Sequence, residues 1–166
     1  PNPNPNPNPN PNPSPSPSPN PNPDDARIDV VALGNPHFSA SEFGALAALC
    51  RAGAPKGAGV RIVVTTSRAV LAQAEASLPD LEAFGVELIT DTCWCMLGPP
   101  VVPPAPADAA AGGGVHVMTN SAKYGHYGPG LVNRSFRFGS LDACVAAARS
   151  GRAPARSVGL MAPWLR

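Results

Sequence analysis

Short apolar runs alternate along this chain with longer stretches in which apolar residues recur at helical intervals. Ile28 to Leu33, interrupted by Asp29, reads as a buried strand entered from a polar linker, and Gly34-Asn35-Pro36 stops it. Ser39 stands three residues before Glu42, a capping-box spacing. Phe43, Leu46, Ala47, Leu49 and Cys50 then follow at helical intervals until Gly53 and Pro55. Val60 to Thr65 predicts a second strand. Thr66-Ser67-Arg68 turns from it into a helix with Val70, Leu71, Ala74 and Leu78 on one face and Pro79 near its end. Val86 to Thr90 predicts a third strand, and residues 98–114, rich in Pro, Gly and Ala, a loose connector. Val115 to Thr119 is a fourth strand leading into a glycine-rich loop that runs to Gly130, and Phe136 to Phe138 a short fifth. Ser140 caps a last helix, Leu141 to Arg149, with Gly151 as its stop. Strand alternates with helix, so the expected class is α/β, with a mainly parallel sheet and helices on both faces.

Composition divides the chain in two. Of its 166 residues the first 23 carry Pro at every odd position and only Asn or Ser between. With nothing apolar beyond proline to bury, this segment is expected to be a disordered tail, with polyproline II conformers favoured. Residues 24–166 suffice for one domain with a real core. A net charge of +1 with scattered arginines argues against nucleic acid as a partner. No stretch approaches the roughly 18 apolar residues of a membrane span, so no membrane partner and a cytoplasmic location are expected. The chain begins with Pro rather than Met and reads as a piece of something longer.

Candidate chemistry gathers where strands end. Of the cysteines, Cys50 and Cys144 lie in apolar helical patterns and read as packed thiols. Cys93 and Cys95 follow Asp91-Thr92 at a strand end, where they could bind iron or zinc, act as a nucleophile, or merely pack. Thr65, Thr66, Ser67 and Arg68 suit an anion such as a carboxylate or phosphate, although Ser67 could simply cap its helix. Asn120, Ser121, Lys123, His126 and Tyr127 offer donors, a cation and an acid–base group. His37 either contacts substrate or caps a helix. Parallel strands would bring all these loops to one edge of the sheet.

In order, the segments Leu33-Gly34-Asn35-Pro36-His37-Phe38-Ser39, Thr65-Thr66-Ser67-Arg68, Asp91-Thr92-Cys93, Thr119 through Tyr127, and Arg137-Phe138-Gly139-Ser140-Leu141 resemble the catalytic subunit of the aconitase X family. Its members are iron–sulfur phosphomevalonate and hydroxyproline dehydratases, and the resemblance covers about residues 28–152. It implies aconitase-like α/β/α layers and a hydro-lyase that eliminates water from a small hydroxylated acid such as phosphomevalonate or 3-hydroxyproline. Cys93 would ligate an iron–sulfur cluster, which this chain alone is not expected to retain. Thr65, Thr66, Ser67, Arg68, His37 and Asn120 would bind substrate, while Ser121, Lys123 and His126 would serve catalysis. Some members carry cysteine where this chain has Asn35, so that turn offers no thiol here. The implied partners are a small swivelling domain or subunit and the N-terminal part of the catalytic subunit. Two other classes stand beside this one: a non-catalytic α/β binding or scaffold module without a cluster, and a zinc-stabilised interaction domain.

Overall fold

A computed structural model describes residues 27–35, 37–103 and 114–154. The tail expected over residues 1–23, Pro36 and the connector from 104 to 113 lie outside the described residues. The strands are β1 (Val30–Leu33), β2 (Arg61–Thr66), β3 (Val86–Thr90), β4 (His116–Thr119) and β5 (Ser135–Phe138). The helices are α1 (Ala40–Arg51), α2 (Arg68–Gln73), α3 (Leu78–Phe84), α4 (Ala122–Val132) and α5 (Leu141–Ser150). All strands run parallel in one five-stranded sheet of order β3-β2-β1-β4-β5. From β1 the chain builds outward to β3, then returns across β1 to lay down β4 and β5. Connections therefore leave in opposite directions from β1 and β4, the place where open parallel sheets form a crevice at their carboxyl ends.

Every residue of β1 and all but the first of β2 are buried. These central strands are covered on both faces, which is why they read as continuous apolar runs rather than alternating ones. Val31, Leu33, Ile62, Val64 and Met118 face a core closed by residues of α1, α3 and α5, including Phe43, Leu46, Leu81 and Val145. Val30, Ala32, Val63 and Val117 face a second core containing Trp94, Val102 and Tyr124.

Local signals set most boundaries. Ser39 and Glu42 form the full capping box at the start of α1. Gly151 (φ 72°) ends α5 in the left-handed conformation that glycine tolerates. Ser140 precedes α5, but its side chain makes no capping hydrogen bond.

Three expectations need correction. The single helix expected after β2 is two: α2 stops at Gln73, a 3-10 turn covers Glu75–Ser77, and α3 begins at Leu78. Pro79 lies in the first turn of α3, where its missing N–H has no intrahelical acceptor to lose, and so it starts a helix rather than ending one. The glycine-rich loop after β4 is instead helix α4, capped by Ser121, whose side chain accepts from the Tyr124 N–H. The loose connector is packed as far as Pro103. Val102 is buried, and the Arg61 guanidinium donates to the carbonyls of Pro100 and Val101.

Candidate functional site

Because the strands are parallel, His37, Ser67, Cys93 and Ser121 all follow strand C-termini and lie on one edge of the sheet. They form two groups. In the first, Asp91 (φ 56°) turns sharply out of β3, a conformation Asp adopts more readily than most residues. Its carboxylate accepts from the Arg68 backbone N–H at 3.1 Å and from the guanidinium Nε. Those Arg68 donors, with the nearby His37, hold the Asp91 carboxyl below its ordinary range. Arg68 itself stays largely in water.

The second group surrounds Cys93. Trp94 is wholly buried, its ring tilted 34° to that of Tyr124 with centroids 5.4 Å apart, and its Nε1–H donates to the Leu33 carbonyl at 2.7 Å. This indole pins the β3 exit loop against β1 and α4. The flanking thiols stay nearer water: Cys93 is half-buried and Cys95 exposed. The neighbouring Cys95 thiol and backbone N–H, with a smaller contribution from the Lys123 ammonium, draw the Cys93 thiol below its usual range. Burial, with the adjacent Cys93 and Cys95, pushes the Tyr124 phenol up to about 12. Its hydroxyl and the Asn35 side-chain oxygen are buried without a hydrogen-bond partner among the described residues. Buried polar atoms are rarely left so, and these two mark the crevice between β1 and β4.

The expected site residues differ in what they can still do. Thr65 and Thr66 are fully buried and do not present hydroxyls to solvent. Thr65 donates to the Gly34 carbonyl at 2.5 Å and Thr66 to the Phe38 carbonyl at 2.9 Å, so both fasten the loop after β1 onto β2. Ser67 accepts from the Val70 N–H as the α2 cap. Ser121 caps α4 and donates to the Asn35 carbonyl at 3.1 Å, tying the β1 and β4 loops together. His37, Lys123 and His126 are exposed, and Asn120 is half-buried. The His126 ring rests edge-on against Tyr127, 4.8 Å between centroids, one turn beyond Lys123 on α4. Asp91 and Tyr124 lie among the candidate residues but were not expected there. The one available signal for Asp91 was an acid placed just past a strand end.

A groove of about 390 Å³ opens beside Cys95, lined by Met96, Leu97, Val102, Leu131 and Arg134 among others. Neither Cys93 nor Lys123 lines it, so the cavity and the polar cluster are separate features. Among the described residues no group of three or more His, Cys, Asp or Glu side chains is placed to hold a metal ion. An iron–sulfur cluster is ordinarily held by several thiolates. The described residues fit one ligand of such a group, Cys93, and do not fit a whole cluster.

The aconitase X third-domain family model matches residues 28–150. The chain is 58% identical over 133 residues to a cis-3-hydroxy-L-proline dehydratase of Pseudomonas aeruginosa, covering 79% of this chain and 21% of that protein. A cis-3-hydroxy-L-proline dehydratase of Hypocrea jecorina is 50% identical over 130 residues, covering 77% and 20%. The phosphomevalonate dehydratase large subunit of Methanosarcina mazei is 27% identical over 124 residues, covering 75% and 28%. The crystal structure of Thermococcus kodakaraensis aconitase X in its holo-form superposes with a TM-score of 0.54 at 26% identity, covering 74% of this chain and 29% of that one. The chain thus spans between 20% and 28% of the length of these curated relatives. With the family model matched across all five strands, this chain belongs to the aconitase X family.

Proposed function

We propose that this chain forms one wall of a dehydratase active site that removes water from a small hydroxylated acid, 3-hydroxyproline or phosphomevalonate being the substrate types its relatives' names suggest. The observation that carries this is the half-buried Cys93 on the β3 exit, which its neighbour Trp94 ties to the end of β1 and to α4, with the Lys123 charge favouring its thiolate. Lys123, the Asn120 amide and the free N–H groups at the start of α4 offer a carboxylate both charge and donors. Arg68 is a second anion group, held ready by Asp91 and exchangeable to a substrate because the pair lies in water. His37 adds a donor from the β1 loop. Ser67 and Ser121 fix the loops that carry these groups, and Thr65 and Thr66 brace them from beneath. Proton transfer falls to Lys123 or His126, both exposed on α4. Cys93 supplies one thiolate to an iron–sulfur cluster whose other ligands come from outside the described residues. A further domain, such as a small swivelling one, completes the enclosure.

The shortage of metal donors favours a second reading, a module of the same fold that binds an acid without a cluster. A chimera separates the two. Residues 28–150 of this chain replace the matching segment of the Pseudomonas aeruginosa relative, at 58% identity over the aligned region. The dehydratase reading expects turnover of cis-3-hydroxy-L-proline, with kcat/KM falling by about a hundredfold or more in Cys93→Ala and Lys123→Ala. A folded chimera without activity, or one indifferent to Cys93→Ala, overturns it.

A further inference from the structure

Arg137 lies one residue before the end of β5, the outer strand beside β4, and the proposed site gives it no task. Its neighbour Phe136 packs edge-on against Tyr124, so alternation along the strand puts Arg137 on the opposite face. That is the face of Met118, its register partner on β4, and of α5. Arg137 is half-buried, and its Nη2 is shut off from water with no hydrogen-bond acceptor among the described residues. Its neighbours in kind are better provided. Arg27, Arg51, Arg61 and Arg68 pair with carboxylates, while Arg134 and Arg149 donate to carbonyls. Asp142, the acid nearest in sequence, is exposed on the first turn of α5 and makes no salt bridge to Arg137. A cation drawn partly out of water without a counter-charge weakens a fold, and a ligand that supplies the charge explains its presence.

We infer that Arg137 binds a small oxyanion, a carboxylate or a phosphate, at the exits of β4 and β5. The Gly139 N–H donates to the Thr119 carbonyl at 3.0 Å, which holds the end of β5 beside the loop carrying Asn120 and Ser121. An oxyanion there lies on the same edge of the sheet as the candidate substrate groups. The planar guanidinium presents paired donors that match two oxygens of either anion, and the part of the side chain still open to water gives the anion a way in. That the anion belongs to a hydroxylated acid rests on the dehydratase reading. That Arg137 takes an oxyanion does not.

The test uses the whole chain, with inorganic phosphate exchanged for chloride at constant ionic strength. In isotope-labelled protein the Nε–H signal of Arg137, identified as the one missing from Arg137→Lys, should shift with phosphate and saturate. The same titration should raise the melting temperature of the wild type by about 3–6 °C at tenfold the dissociation constant. Arg137→Met should melt no lower than the wild type without phosphate, and should keep only the general rise that excluded phosphate gives any protein. Arg51→Met, which removes a guanidinium paired with Asp80 instead, should retain the full response. With cis-3-hydroxy-L-proline as a second probe, movement of the same signal identifies a carboxylate as the anion, and movement with phosphate alone identifies a phosphate. No movement with either probe, an Arg137→Met chain that responds like the wild type, or one that melts several degrees lower overturns the inference. Each readout is binding to this chain, so the outcome is separate from turnover by the chimera.

Discussion

The Cys144 side chain lies wholly out of water on α5, its S–H directed at the Gly139 carbonyl 4.0 Å away. Burial, with a smaller contribution from Asp142, raises this thiol from 9.0 to about 12. Below pH 9 the thiol is protonated whether the chain is folded or not, and it favours neither state. Above that, the unfolded chain loses the proton first, so stability falls as pH rises from about 9 toward about 12. Cys144→Ala should therefore flatten the alkaline arm of a stability–pH curve measured by urea unfolding, and an unchanged slope would refute this. Cys93 has the opposite setting, its thiol drawn down by Cys95 and the Lys123 charge. A pattern of apolar neighbours distinguished these two thiols in the sequence, because packing leaves a periodic trace. Thr65 and Thr66 were not legible in the same way. Their hydroxyls point to the carbonyls of Gly34 and Phe38, partners about thirty residues away that local spacing does not reveal.

At the level of elements, α1 ends on a guanidinium borrowed from α5. Arg149 donates to the carbonyls of Leu49 at 2.7 Å and Ala54 at 2.7 Å, and lies 5.4 Å from the Phe84 ring centroid. The last carbonyls of a helix lack full partners within it; Leu49 has only an N–H that Ala52 shares with Ala48, and Arg149 supplies it a second donor while fastening the Ala54 carbonyl just beyond the helix. Arg149→Met keeps the stem and removes the donors, and should cost about 1–3 kcal/mol in urea unfolding. Arg149→Lys should recover only part of that, since one ammonium cannot reproduce the fork; full recovery would argue against the assignment. Strands and most helix ends were legible because caps, stops and apolar runs are local. Helix α4 was not. Gly125, Gly128, Gly130 and Pro129 all oppose helix by propensity, yet Tyr124 and Gly128 are buried against the sheet. Gly128 is required there, since a Cβ would run into the Phe136 ring. Tertiary packing decided the element.

Across the whole molecule, strand order explains how loops 86 residues apart meet, as Asn35 and Ser121 do: the exits of β1 and β4 are neighbours, and the β3 loop reaches them through Trp94. The sequence alternation indicated a common edge, but not that Arg68 would pair with Asp91 while Trp94 packed on Tyr124, since side-chain partners depend on the order in which strands lie. Residues 1–23 contain no apolar side chain other than proline. A chain shortened to begin at Asp24 should melt at the same temperature as the full one, and a drop of many degrees would show that the repeat contributes to the core. The buried indole has an optical consequence. The chain holds two tryptophans, Trp94 and Trp164. With Trp164→Phe, emission comes from one ring that touches the exits of three strands. Thiols quench indole fluorescence, so its intensity should follow the state of the neighbouring sulfurs, and its wavelength should follow the entry of water between the loops. The functional edge can then be watched opening in light, while circular dichroism follows the sheet beneath it.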